Sequence, residues 1–128
     1  MGSRTSFPEG TFSWVDLATT AVDGARDFYT ALFGWVGDAE AGGSLLRLDG
    51  SLVAAIFPLS EESRAAGTPS SWTSYVTVAD VDAVVARAVE LGGAVSRDPF
   101  DIMDVGRVAL IQDPQGAAFG VTAGEFDD

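Results

Sequence analysis

Residues 12–35 read "FSWVDLATTAVDGARDFYTALFGW", and two periodicities meet inside that stretch. Its first part alternates Trp14, Asp16 and Ala18 with Val15 and Leu17, the period-two pattern of a strand with one apolar face. Its second part sets Ala25, Phe28, Tyr29, Leu32 and Phe33 at i, i+3, i+4, i+7 and i+8, the apolar stripe of a helix. Thr20, followed three residues later by Asp23, resembles a capping box, and Gly34 suits the helix end. A strand running directly into an amphipathic helix is the unit to look for elsewhere.

It recurs in residues 71–93, "SWTSYVTVADVDAVVARAVELGG". Val76 and Val78 alternate with Thr73, Tyr75 and Thr77, and Val81, Val84, Val85 and Ala88 form the second helical stripe. Asp80 is placed to cap that helix, and Gly92-Gly93 to stop it. Aligning residues 21–23 with 80–82 also aligns Leu17 with Val76 and Gly34 with Gly93, which points to an internal duplication. After the first helix, strand-like runs cover 44–48 and 52–57. After the second they include Val95, 107–112 and 117–122. Turn signals at Asp49-Gly50, Pro99 and "DPQG" (113–116) separate them. The polar stretch 58–71 reads as a connection, with a short helical turn over 61–66. The order is strand, helix, three strands, twice. The expected fold is α+β, two βαβββ modules pairing into a curved, barrel-like mixed sheet with helices outside. One domain would hold module 1 at about 10–58, a linker at about 59–70 and module 2 at about 71–124.

Composition narrows the partners. The chain has 128 residues, enough for one core, and a formal charge of −12 from 19 acidic and 7 basic residues. No Lys/Arg cluster is present to displace counterions from phosphates, so nucleic acid is an unsuitable partner. No apolar run approaches a membrane span, and no signal pattern opens the chain. With no cysteine, disulfides and thiolate sites are excluded, and a cytoplasmic location is expected. With no histidine either, the common nucleophilic triads cannot form.

These stretches, together with "DVGRVALIQDPQGAAFGV" (104–121), resemble the vicinal oxygen chelate superfamily of glyoxalases, bleomycin-resistance proteins and extradiol dioxygenases. The resemblance is carried by Phe28-Tyr29 with Leu32-Phe33-Gly34 at one end and the Asp-Pro-x-Gly turn at the other. It lies nearest to glyoxalase-like proteins that carry a hydroxylase label. It implies metal-ligand positions at Trp14 and near Thr73 in the first strands, and near Ala55 and at Gly120 in the last. None of these side chains binds a divalent transition metal, so neither a metal nor another cofactor is expected.

Strand alternation instead turns Trp14, Asp16, Thr73, Tyr75 and Gly120 toward a cleft, with Phe57 and Met103 as walls and Arg107 at the rim; Trp72 is added as a further ligand contact. Small residues at Ala118, Gly120 and Thr122 would widen that cleft. The first reading is a metal-independent binder of a small hydrophobic or aromatic molecule, a metabolite or drug held by sequestration. The second is a metal-free isomerase, cyclase or lyase with Asp16 and Tyr75 as acid–base groups. The third is an interaction module with a filled cleft. Whether any reaction is catalysed is left open. Each residue also has a plain structural alternative: Trp14 and Tyr75 in packing, Asp16 bonded to backbone, Arg107 paired with Asp104 or Asp113. Phe28, Tyr29 and Phe33 are expected in the core. Exposed module edges suggest a homodimer.

Overall fold

A computed structural model of the chain describes residues 7–40, 42–102 and 106–124. Among the described residues there are eight strands and three helices. In chain order they are β1 (Phe12–Thr19), α1 (Val22–Phe33), β2 (Val36–Glu40), β3 (Gly43–Leu48), β4 (Ser51–Pro58), α2 (Glu61–Ala65), β5 (Ser71–Thr77), α3 (Val81–Glu90), β6 (Ala94–Ile102), β7 (Gly106–Gln112) and β8 (Ala118–Gly124). This is an α+β chain of two βαβββ modules, with α2 in the connection. It divides into two compact units after Trp14 and after Thr73.

The unit spanning 15–73 orders its strands β2-β3-β4-β1, with β1 parallel to β4 and the others antiparallel. Its core is Leu17, Leu46, Ala54 and Ile56, with Val15, Val22, Ala25, Tyr29, Trp35 and Val53 packed against it. The apolar face of β1 thus meets the inner edge of α1, as alternation requires. Asp49 and Gly50 both take positive φ (52° and 83°), the paired left-handed turn that matches the twist of a β3–β4 hairpin. β2 carries no alternation in "VGDAE" and was not marked by any run of the sequence. It is an edge strand, where only one neighbour needs to be satisfied. The capping box at Thr20 and Asp23 does not form: Ala21 is the N-cap and makes no side-chain cap bond. Thr19 Oγ1 takes the Ala21 N–H instead, and Asp23 pairs with Arg26 at 2.9 Å. The connection is tied down locally, with Arg64 Nη2 donating to the Thr20 carbonyl at 2.7 Å.

The other unit orders its strands β5-β8-β7-β6, with β5 parallel to β8. Val78, Val81, Ala109, Ile111 and Val121 form its core under α3, with Val84, Val85 and Ala88 closing it. Asp80 caps α3, its Oδ1 accepting from Ala83 N–H at 3.1 Å. Pro99 lies inside β6 rather than at a turn. An edge strand tolerates the missing N–H, and the ladder is irregular there, shifting register between Arg97 and Phe100. The turn at 113–116 is built by Asp113, whose Oδ1 accepts from the N–H groups of Gln115 and Ala117, both at 2.9 Å.

Candidate functional site

Strand parity distributes the candidate residues over three places. In the 15–73 unit, Asp16 stands beside Ala55 and Ala18 beside Phe57 across the parallel β1–β4 pair. This strand face points away from the Leu17 core. Ala55 is buried, Asp16 half-buried, and Phe57 is 41% exposed. The register thus sets a half-buried carboxylate beside a buried alanine and one step from an exposed aromatic ring.

In the other unit Tyr75 pairs with Gly120 across β5 and β8. A Cβ built on Gly120 would overlap the Tyr75 ring at Cδ2 and Cε2. The absence of a side chain at Gly120 therefore seats the ring and does not widen a cavity. Tyr75 is buried, and beyond it on the same face Thr122 is only 1% exposed, its Oγ1 without a hydrogen-bond partner among the described residues. Trp14 is half-buried in this unit, whereas Thr73 is half-buried in the 15–73 unit. Met103 lies outside the described residues.

Arg107 is held in an ion-pair clamp. Its Nε and Nη2 donate to the two oxygens of Asp82 at 2.7 and 3.0 Å, and Nη1 donates to Asp101 at 3.1 Å. The partners are thus Asp82 and Asp101; Asp113 is spent on its own turn, and Asp104 lies outside the described residues. These carboxylates raise the Arg107 pKa still further, and the hydrogen bond from Arg107 lowers that of Asp82.

Trp72 goes to a third place, on the helix side of β1. Its Nε1 donates to Tyr29 Oη at 3.0 Å, and the two rings meet edge to face with centroids 5.2 Å apart. With Val15, Phe33 and Trp35 they line an open hollow of about 350 Å³. Around it, Phe28 is 60% exposed, Leu32 58% and Phe33 54%. The helix stripe expected in the core is therefore only partly covered: Ala25 and Tyr29 pack inward, and Phe28, Leu32 and Phe33 do not. The sequence signal for this hollow is the density of aromatics at 28, 29, 33 and 35, more ring than one core stripe can absorb.

A divalent metal, the group that the resemblance implies, does not fit these residues. The Tyr75 ring lies where a side chain at Gly120 would begin. Among the described residues no group of three His, Cys, Asp or Glu side chains could hold an ion. Nor is any helix among them long and apolar enough to cross a membrane.

A sequence profile of the Glyoxalase/Bleomycin resistance protein/Dioxygenase superfamily matches residues 11–121. The chain is 45% identical over 127 residues to "Putative glyoxylase CFP32" of Mycobacterium tuberculosis, covering 94% of this chain and 48% of that one. It is 39% identical over 132 residues to "Anthracycline biosynthesis protein DnrV" of Streptomyces peucetius, covering 91% of this chain and 48% of that one. The chain thus spans about half the length of the curated relatives it matches. Among solved structures, methylmalonyl-CoA epimerase from Mycobacterium tuberculosis superposes with a TM-score of 0.60 at 20% identity, over 90% of this chain and 87% of that one. The Mn(II)-bound glyoxalase from Novosphingobium aromaticivorans gives 0.61 at 16% identity, over 91% and 40%. These two likenesses are of fold alone.

Proposed function

The chain belongs to the Glyoxalase/Bleomycin resistance protein/Dioxygenase superfamily, and from that premise we propose that it binds a small hydrophobic or aromatic molecule without a metal. The observation that carries this reading is the strand face of β1 and β4, where the half-buried Asp16 stands among Ala18, Ala55 and Phe57. Phe57 offers an exposed ring for stacking, and Asp16 accepts a hydrogen bond from the ligand. A charge of −12 favours a cationic ligand over an anionic one. The name of the anthracycline biosynthesis relative supports a fused-ring aromatic as the first class to try. Metal independence rests on the covered Gly120 and on a chain without histidine or cysteine.

The test is isothermal titration of the 128-residue chain with a panel of flat aromatic molecules, neutral and cationic, with and without EDTA. Binding that EDTA does not alter is expected. Asp16→Asn should weaken the cationic members by about 10- to 100-fold, the worth of one hydrogen bond to a charged group. Neutral members should lose less. No binding across the panel at saturating concentration, or binding that appears only with added Mn²⁺ or Zn²⁺, would sink the proposal.

A further inference from the structure

We propose that the aromatic hollow on the helix side of β1 is a binding site for a quaternary ammonium group. The hollow is separate from the Asp16 face, because Val15 lines it and Asp16 alternates with Val15 along β1. It therefore does not rest on the reading above. All five lining residues, Val15, Tyr29, Phe33, Trp35 and Trp72, belong to the 15–73 unit. The volume of about 350 Å³ lies at the small end of ligand pockets, which begin at roughly 300 Å³.

Three observations select this chemistry. The first is the continuity of the rings. Tyr29 lies 5.2 Å from Trp72 and 6.3 Å from Trp35, centroid to centroid, and Trp35 lies 4.8 Å from Phe33. Four rings thus form one aromatic lining, and the negative face of such a ring attracts a cation. The second is hydrogen bonding. Tyr29 Oη is the only side-chain oxygen in the lining, and it already accepts from Trp72 Nε1 at 3.0 Å. An ammonium carrying N–H groups would lose its bonds to water there and meet no free side-chain acceptor. A quaternary ammonium carries the same charge with no N–H to satisfy. The third is charge. The three arginines of the unit are turned to other partners, Arg26 to Asp23, Arg47 to Asp38 and Arg64 to the Thr20 carbonyl. Among the described residues no cation lines the hollow, and a chain of −12 favours a cationic guest over a neutral one.

Choline is the probe, and 3,3-dimethyl-1-butanol, the same skeleton with carbon in place of nitrogen, is its neutral control. Each is titrated into the ¹⁵N-labelled chain while the indole N–H signals are followed by NMR. Choline should move the Trp35 and Trp72 signals with a Kd on the order of 1 mM, at least about 10-fold tighter than the control. Raising NaCl from 0.05 to 0.5 M should weaken it. Phe33→Leu keeps an apolar side chain at a position that is 54% exposed. It should retain the wild-type far-UV circular dichroism and weaken choline about 3- to 5-fold, with little change for the neutral control. Trp72→Leu is the parallel variant should Phe33→Leu misfold. No movement of either indole up to 50 mM choline overturns the proposal. So does equal affinity for the neutral control, which would make the hollow merely apolar, or equal affinity for ethanolamine, which would remove the case for a quaternary centre. Choline binding that both ring variants leave unchanged, or that moves Trp14 alone, would place the cation elsewhere and overturn it as well.

Discussion

The helices α1 and α3 hold equivalent places in two modules built on the same element order, yet one is finished and the other is not. α3 presents Val81, Val84, Val85 and Ala88, and these small aliphatic side chains are taken up by the core beneath it. α1 has no fully buried residue, and its stripe is dominated by rings and a leucine that remain more than half exposed. The two stripes differ in placement. Valine and alanine on α3 all lie against the sheet beneath them. On α1, Ala25 and Tyr29 pack inward, while Phe28, Leu32 and Phe33 lie where no part of their own unit covers them. Periodicity reports which way a residue faces but not whether anything waits there to cover it. The second module is closed on itself; the first keeps an aromatic surface in reserve.

The largest effect comes from loading the closed module. Gly120→Ala should cost about 1–3 kcal/mol, because the new Cβ overlaps the Tyr75 ring in a packed interior. Gly120→Glu should cost more, on the order of 4 kcal/mol, since it also buries a carboxylate. Leu32→Ala on α1 should cost under about 1 kcal/mol, because its side chain is already exposed. Urea unfolding of the three variants checks the contrast. Combining Gly120→Ala with Tyr75→Ala should cost less than the sum of the two, because one clash is removed with the ring. Equal costs at Gly120 and Leu32 would erase the distinction between a closed and an open module.

That distinction shows where the sequence was legible. Both modules, the helix ends at Gly34 and Gly92, the Asp80 cap and the turn at Asp113 follow from local chemistry, and local chemistry is written in neighbouring residues. What was not legible depends on distant partners. Arg107 finds Asp82, 25 positions earlier in the chain, where proximity suggested Asp104 or Asp113. Gly120 suggested room until Tyr75, brought alongside by the parallel β5–β8 pair, was seen to fill it. Trp72 sits at strand parity with the helix-facing residues, so its ring joins Tyr29 and not the face of Asp16. At the candidate site, alternation alone placed Asp16 opposite the Leu17 core, and the β1–β4 register supplied its neighbours Ala55 and Phe57.

A smaller contrast lies in the two helix starts. Asp80 caps α3 through its side chain, whereas Ala21 leaves the first N–H groups of α1 without a side-chain acceptor. Removing one cap and adding the other should therefore move stability in opposite directions. Asp80→Ala should lose about 1 kcal/mol, and Ala21→Ser should gain about 0.5–1 kcal/mol, read as shifts in the urea midpoint at unchanged slope. A loss in Ala21→Ser would mean that Thr19, which already accepts the Ala21 N–H at 3.2 Å, organises this turn in a way a serine disrupts.

The smallest expected effect concerns the Arg107 clamp, which ties α3 to β7 and β6 at the exposed end of the closed module. All three of its groups are solvent-accessible, so the pairs are well screened and their contribution is modest. Its pH dependence is nevertheless definite in sign. The hydrogen bond from Arg107 holds the Asp82 carboxyl below its ordinary range in the folded state. A carboxylate with a depressed folded pKa stabilises above its unfolded pKa, near 4, and loses that contribution as pH falls through the folded value. The guanidinium stays charged throughout, so Asp82 sets the window. The melting temperature of Arg107→Ala should therefore lie slightly below wild type from pH 7 down to about 5, and the gap should close as pH is lowered below about 4. Raising NaCl at pH 7 should narrow it as well. A gap that persists unchanged at low pH would mean that Arg107 serves the closed module through the packing of its methylene stem over β7, and not through its charge.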